Sequence, residues 1–155
     1  PEKLALDPDM LRRSLIVCSD VIEHLAHPEY LADQFHDWME YAPVALVTTP
    51  DRDRRRGDDD MGPPGNVHHI REWSMTELGA FLGSRQLKVE FLGLTVSNDV
   101  ARPKHTTLAI VSNNHHPPLE PAPPEFRVAA IIAAYNEAET DGRRRAYREL
   151  QRFQC

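Results

Sequence analysis

The stretch LIVCSDVIEHL, Leu15 to Leu25, decides the fold expected for this chain. Its first four residues are apolar, and they change abruptly into the polar pair Ser19 and Asp20. A short apolar run of this kind predicts a strand buried on both faces of a parallel sheet. In open α/β sheets, ligands lie beyond the carboxyl ends of such strands. The stretch therefore puts Asp20, Glu23 and His24 at a sheet edge where a ligand is expected.

A helix and a second strand are predicted next. Pro28 suits the first turn of a helix. Apolar residues then recur at the spacing of one helical face, which predicts packing on the sheet with Trp38 in the core: Leu31, Phe35, Trp38 and Met39. The run Val44–Thr48 predicts the second strand, which Pro50 ends. Strand, helix and strand in this order form a right-handed parallel βαβ unit in nearly all proteins.

A polar loop and another helix follow the βαβ unit. Asp51–Val67 contains the block DRDRRRGDDD, whose charges largely neutralise one another, and a solvated loop is the prediction for this range. Ser74 and Glu77 have the spacing of a capping box. A helix is therefore expected from Ser74 to Gly83, since glycine suits a helix end.

Two strands are predicted after that helix. Leu87–Phe91 alternates between apolar and charged residues, and the alternation changes phase afterwards, which predicts a bulge at Gly93. Thr106–Ser112 predicts the second of these strands. The connection between them is too short for a helical crossover, so the two strands should pair antiparallel.

The C-terminal quarter has a different composition. Residues 113–125 contain five prolines, which favours a semi-rigid linker. Arg127–Ala134 then predicts a strand, followed by a helix whose acidic residues precede its arginines, as the helix dipole favours. The expected organisation is a partial domain at 1–112, a Pro-rich linker at 113–125 and the truncated start of a second domain at 126–155.

Composition limits the classes of protein to which the chain can belong. Its 155 residues suffice for about one domain, and a net charge of −6 argues against general nucleic-acid binding. Two cysteines are too few for a disulfide framework, so a location in the cytoplasm is the prediction. Cys18 lies in an apolar run and is predicted to be a core residue. Neither a membrane span nor a signal peptide is recognisable. Because the chain begins at Pro1 and stops within a helical pattern, we expect it to be a piece of a longer protein.

A family resemblance rests on several motifs. The segment D-x-x-E-H-L at Asp20–Leu25 resembles the end of the fourth strand in class I S-adenosylmethionine (SAM) dependent methyltransferases. TPDR at 49–52, GPPGN at 62–66 and HHIREW at 68–73 are similar to a small-molecule and glycan-associated subgroup of type 11/12. That family has the Rossmann-like sheet order 3-2-1-4-5-7-6, with strand 7 antiparallel. The resemblance implies an α/β fold made of strands 4, 5, 6 and 7, the C-terminal half of the sheet, plus an isolated strand-helix tail.

The resemblance also implies an activity. It implies methyl transfer from SAM to an oxygen or nitrogen of a glycan precursor or small metabolite, with Asp20, His24 and His69 as catalytic residues and Ser19 and Asp20 near the cofactor. The glycine-rich turn with which the family holds SAM has no counterpart before residue 15, so the chain alone is expected to be inactive and not to bind SAM. A structural alternative for Asp20 is that it caps the following turn.

A divalent metal is an alternative role for the same site. Glu23, His24 and His69 are similar in spacing to the metal ligands of small-RNA 3′-end 2′-O-methyltransferases, although this chain has Asp20 where that family carries Glu. Carboxylate and imidazole are common metal ligands. Otherwise His69 is a structural loop histidine, and Glu72 forms only a local ion pair.

The tail carries a second resemblance. VAAIIAAYNEAE, residues 128–139, is similar to the opening strand and turn of family-two glycosyltransferases, which implies contact of Tyr135, Asn136 and Glu137 with a nucleotide sugar. A nucleotide-sugar transferase fragment and a non-catalytic α/β interaction module are therefore alternative functions. In each case the strand at Leu15–Ser19 is expected to leave one edge unpaired and to favour self-association.

Overall fold

The computed structural model describes residues 4–58, 60–96, 103–113, 115 and 127–130, and it describes only the backbone of the last range. Five strands form one mixed sheet of order β3-β4-β2-β1-β5. Their bounds are β1 Ser14–Ser19, β2 Val44–Pro50, β3 Lys88–Val96, β4 His105–Ser112 and β5 Arg127–Ala130. The helices are α1 Pro8–Leu11, α2 Pro28–Trp38, α3 Arg52–Arg56 and α4 Met75–Ser84, and a single 3₁₀ turn spans Ile22–His24.

The strand order confirms the predicted fold class. β1 and β2 pair parallel, with Leu15 opposite Val44, and α2 connects them as the βαβ pattern predicts. β4 pairs antiparallel with both β2 and β3. The order β1-β2-β4-β3 is therefore the 4-5-7-6 half of the methyltransferase-type sheet, with its seventh strand antiparallel.

Local signals explain where two of the helices begin. Pro28 occupies the first turn of α2, where its missing N–H costs nothing. The capping box of α4 is complete, because the Ser74 hydroxyl accepts from the Glu77 N–H and the Glu77 carboxylate accepts from the Ser74 N–H. Both helix starts agree with the sequence-based prediction.

The long polar loop is partly helical, which corrects its prediction. Asp51 caps α3 by accepting from the Arg54 N–H at 2.9 Å, and its other oxygen accepts from the buried Thr107 hydroxyl at 2.8 Å. The pattern of charged residues does not predict this helix, because the helix begins at Asp51, whose position depends on the hydrogen bond from Thr107 in β4, 56 residues away.

The bulge in β3 lies earlier than predicted. The register shifts between Val89 and Phe91, so Glu90 is the additional residue, and Gly93 pairs regularly with Leu108. Gly93 has a packing role instead. A Cβ at this position would lie 2.6 Å from the Phe91 ring, so only glycine allows that ring to lie over the strand.

The tail strand is not isolated. β5 pairs parallel with β1, from Ser14 opposite Arg127 to Val17 opposite Ala130. This pairing satisfies the backbone groups of β1 on the edge that was predicted to be open. The predicted continuation of the strand to Ala134 and the helix after it lie outside the described residues.

Alternation along the strands divides the side chains between the two faces of the sheet. One face is fully buried and joins the main core; it includes Ile16, Cys18, Ala45, Val47, Ala109 and Val111. The other face is apolar but only half-buried; it includes Leu15, Val17, Val44, Leu46, Leu108 and Ile110. The helices that the structure describes are all too short or too polar to cross a membrane.

Candidate functional site

The site lies at the carboxyl ends of β1 and β2. Beyond β1 the chain forms the 3₁₀ turn that contains Glu23 and His24. The Glu23 carbonyl accepts from the N–H groups of Ile70 and Arg71 at 2.8 and 3.1 Å. These bonds hold the loop before α4 against the turn, and they bring His69 to residues that lie far from it in sequence.

Glu23 is a buried carboxylate whose two oxygens have different surroundings. The side chain is 1% exposed, and its Oε2 accepts from the Thr49 hydroxyl at 2.8 Å. Its Oε1 is buried and has no hydrogen-bond partner among the described residues. Burial raises the pKa of Glu23, and the Thr49 bond only partly opposes this effect. A buried acceptor of this kind is costly unless a ligand completes it.

His24 directs one ring nitrogen toward that oxygen. Its Nδ1 lies 2.9 Å from the His68 carbonyl, so Nδ1 carries the proton and donates to it, because a carbonyl can only accept. Its Nε2 lies 3.8 Å from Glu23 Oε1. Nδ1 is therefore a protonated nitrogen of His24, and Nε2 is the ring nitrogen that faces the carboxylate.

His69 completes the cluster from the loop. Its ring lies edge-on to His24, with the centroids 4.9 Å apart, and its side chain is only 5% exposed. Its Nδ1 lies 3.0 Å from Glu72 Oε1. The structure thus brings His69 together with Glu23 and His24.

These three residues fit a metal ion. Each offers one ligand atom, and the three atoms lie within 4.8 Å of one another. One carboxylate oxygen and two imidazole nitrogens are a usual donor set for divalent cations such as Zn²⁺ and Mn²⁺. In addition, Glu23 Oε1 is a buried oxygen that a cation would satisfy.

Ser19 and Asp20 lie at the carboxyl end of β1, where the sequence predicts them. Both are exposed, and the Thr48 hydroxyl lies 2.9 Å from Ser19 Oγ and 3.3 Å from Asp20 Oδ1. Asp20 adopts a left-handed backbone conformation with φ of 52°, and it does not belong to the group formed by Glu23, His24 and His69. It does not cap the following turn either, since the residue at that cap is Val21. Their cofactor role remains a prediction.

Glu72 is the residue that the sequence-based interpretation undervalued. It is 4% exposed, and it contacts His69 as well as Arg56, whose Nη1 donates to its Oε2 at 3.0 Å. Burial raises the pKa of Glu72, but the bonds from Arg56 and His69 outweigh burial and hold it below its usual range. The H-x-x-E spacing of residues 69 and 72 is the signal in the sequence for this contact, whereas the prediction for Glu72 itself is only a local ion pair.

Other predicted residues have structural roles or lie outside the description. Cys18 is buried, and burial raises its pKa to about 12, which agrees with its prediction as a core residue. The Arg71 guanidinium stacks on the buried Trp73 ring at 4.0 Å. The nucleotide-sugar residues Tyr135, Asn136 and Glu137 lie outside the described residues, and their role stays a prediction.

Comparison with known proteins gives structural similarity alone. The sequence matches no protein-family model and no curated protein sequence at a significant level. A chain in the structure of the Pnkp1/Rnl/Hen1 RNA repair complex is similar over 64% of this chain and 22% of its own length, with 16% identity and a TM-score of 0.42. The crystal structure of small RNA methyltransferase HEN1 is similar over 68% of this chain and 15% of its own length, with 24% identity and a TM-score of 0.41. This chain therefore spans less than a quarter of either.

Proposed function

We propose that this chain is the C-terminal half of a SAM-dependent methyltransferase that transfers a methyl group to a sugar hydroxyl, with a divalent cation held by Glu23, His24 and His69. The observation that carries the proposal is the convergence of these three side chains around a buried carboxylate oxygen, for which the described part of the chain supplies no hydrogen-bond partner. The strand order, with one antiparallel strand beside β2, supports the methyltransferase part.

The chemistry of the transfer explains why such a site is useful. The acceptor oxygen must present a lone pair in line with the methyl–sulfur bond of SAM. That bond breaks as the oxygen–carbon bond forms, so the neutral thioether leaves and the hydroxyl proton is released. A bound cation polarises the acceptor oxygen and lowers the pKa of its hydroxyl. Glu23 contributes the negative charge that attracts the cation. The two histidines would contribute their Nε2 atoms, because each Nδ1 contacts another acceptor, the His68 carbonyl or the Glu72 carboxylate.

The donor set favours an oxygen acceptor over a nitrogen acceptor. A hydroxyl is a weak nucleophile at neutral pH and gains most from a cation, whereas an amine needs only the loss of a proton. A sugar hydroxyl belongs to glycan precursors, to many small metabolites and to the terminal ribose of RNA. The net charge of −6 favours the first two.

Metal binding can be measured on the chain itself. Titration calorimetry with MnCl₂ should give one site per chain, and His69→Ala should weaken the affinity at least tenfold because one of three ligands is lost. His36→Ala, which changes a half-exposed histidine on α2, is the matched control and should bind Mn²⁺ like the wild type. Wild-type protein that does not bind Mn²⁺, or His69→Ala protein that binds it equally well, would contradict the proposal.

A metal-independent base is the alternative for the same histidines. In the protein that joins this chain to its SAM-binding half, EDTA should abolish methyl transfer, and added Mg²⁺ or Mn²⁺ should restore it. Activity that is indifferent to EDTA but lost in His69→Ala would assign His69 as a general base, whose loss typically costs about 10²–10⁴ in rate. Parallel assays with a free sugar, a glycan precursor and a short RNA would identify the acceptor.

A further inference from the structure

A buried charge network lies directly behind His69. Glu72 is 4% exposed, and its Oε1 lies 3.0 Å from His69 Nδ1 and 3.5 Å from Arg55 Nη1. Its Oε2 accepts from Arg56 Nη1 at 3.0 Å. Both carboxylate oxygens of Glu72 are therefore occupied, one by the imidazole and one by a guanidinium.

Arg56 connects this carboxylate to the neighbouring loop. Its Nη2 donates to Asp60 Oδ1 and to the Gly62 carbonyl, each at 2.6 Å, and its Nε donates to Asp60 Oδ2 at 3.1 Å. Its side chain is only 12% exposed. A guanidinium with this many fixed acceptors has one orientation, so it fixes the position of Glu72 in turn.

We infer that Glu72 is a positioning residue, which sets the tautomer and ring orientation of His69 and is itself held in place by Arg56. A carboxylate only accepts hydrogen bonds, so the proton of the neutral His69 ring must lie on Nδ1, and the lone pair must lie on Nε2. Carboxylates that orient metal-binding histidines in this way are a general feature of metal sites. The consequence for metal affinity rests on the proposed function, whereas the tautomer does not.

Glu72→Gln is the sharpest perturbation, because it keeps the size of the side chain. In this variant the amide oxygen should face Arg56 Nη1, because this guanidinium donor is the closer one, at 3.0 Å against 3.5 Å for Arg55 Nη1. The amide NH₂ group then faces His69 Nδ1. An NH₂ group donates, so the ring proton should move from Nδ1 to Nε2. Glu90→Gln changes an exposed carboxylate on β3 and serves as the matched control.

The tautomer can be measured by ¹⁵N NMR of the imidazole ring in metal-free protein at a pH where His69 is neutral. We expect the Nδ1–H form in the wild type and in Glu90→Gln, and the Nε2–H form in Glu72→Gln. Arg56→Lys keeps the positive charge but loses the planar guanidinium, which donates to several acceptors at once. This variant should retain the wild-type tautomer, with a His69 signal that is broadened because Glu72 is held less firmly. It therefore tests the network even if Glu72→Gln fails to fold. A wild-type ring protonated on Nε2, or no change in Glu72→Gln, would overturn the inference.

Metal affinity provides the second measurement. Glu72→Gln should weaken Mn²⁺ binding about 10–100-fold, as is typical when an outer-shell partner is lost. If the tautomer changes as expected but wild-type protein does not bind Mn²⁺, the proposed function fails and the positioning role of Glu72 stands. If Mn²⁺ binds equally well to both proteins although the tautomer changes, the role of Glu72 in metal affinity is refuted.

Discussion

Replacing Glu23 by Gln is expected to stabilise the metal-free protein and to remove its stabilisation by metal. In the wild type, Glu23 Oε1 is a buried carboxylate oxygen without a hydrogen-bond partner among the described residues. The amide oxygen of Gln can still accept from the Thr49 hydroxyl, which lies 2.8 Å from Oε2. The amide NH₂ group then occupies the position of Oε1, 3.8 Å from His24 Nε2, where a small adjustment allows it to donate to the ring.

The magnitude follows from the cost of the unsatisfied group. A buried polar group without a partner costs about 1–3 kcal/mol, and more when it is charged. The amide contact with His24 is longer than an ideal bond, so we expect a gain of about 1–2 kcal/mol in the free energy of unfolding. A metal ion at 100 times its dissociation constant stabilises the wild type by about 2.7 kcal/mol, which exceeds this gain.

Urea denaturation in EDTA and in excess MnCl₂ measures both effects. With an m-value of about 1–3 kcal/mol/M, a gain of about 1–2 kcal/mol means that Glu23→Gln should unfold at a urea concentration about 0.3–2 M higher than the wild type in EDTA. In MnCl₂ the order should reverse, because only the wild type gains stability from the metal. Thr49→Val, which removes the donor to Oε2 and keeps the carboxylate, is the control and should be less stable than the wild type in EDTA.

Two results would refute this reasoning. If Glu23→Gln is less stable than the wild type in EDTA, the carboxylate has a favourable partner in the folded protein and its burial is not a cost. If MnCl₂ stabilises both proteins equally, the cation binds elsewhere, and Glu23 is not a ligand.

Two further predictions concern the core around the site. With Cys155 replaced by Ser, the Cys18 thiol should not react with Ellman's reagent at pH 8 until urea unfolds the protein, because burial raises its pKa from an ordinary 9.0 to about 12. The same difference in pKa should make the free energy of unfolding fall as the pH rises above about 9. Rapid labelling of the folded protein would contradict the burial of Cys18. Leu78→Ala should cost about 2–5 kcal/mol of stability, because Leu78 is completely buried, whereas Leu46→Ala on the half-buried face should cost about 1–2 kcal/mol. Equal losses in urea denaturation would show that the sheet face that carries Leu46 is as well covered as the main core around Leu78.

Four strands, and the direction of pairing within the βαβ unit and within the later strand pair, could be predicted from local signals, whereas the order of the strands in the sheet is implied only by the family resemblance. Apolar runs, the first-turn Pro28 and the capping box of Ser74 each act within a few residues. The exceptions depend on distant contacts. Helix α3 begins where Asp51 bonds to Thr107, and β5 is defined by the edge of β1 that it covers.

The candidate site was predictable in its members but not in its construction. The strand end identified Glu23 and His24, and the family resemblance added His69. Two backbone hydrogen bonds from the loop to the Glu23 carbonyl bring these residues together. Backbone hydrogen bonds of this kind do not depend on the identity of the side chains, so the sequence does not reveal them. Glu72 was undervalued for a related reason, since its partner Arg56 lies 16 residues away within a block of charges that neutralise one another in the sequence.

Asp20 and Glu23 show how neighbouring carboxylates at one strand end can have separate roles. The left-handed conformation of Asp20 ends β1 and leaves its side chain exposed beside Thr48, while the 3₁₀ turn that follows carries Glu23 into the interior against Thr49. Because Thr48 and Thr49 are consecutive in β2, their side chains point to opposite faces of the sheet. The two carboxylates therefore lie on different sides of the sheet. Glu23 lies with His24 and His69, and Asp20 lies on the exposed side, where a cofactor would have to bind if the predicted role of Asp20 is correct.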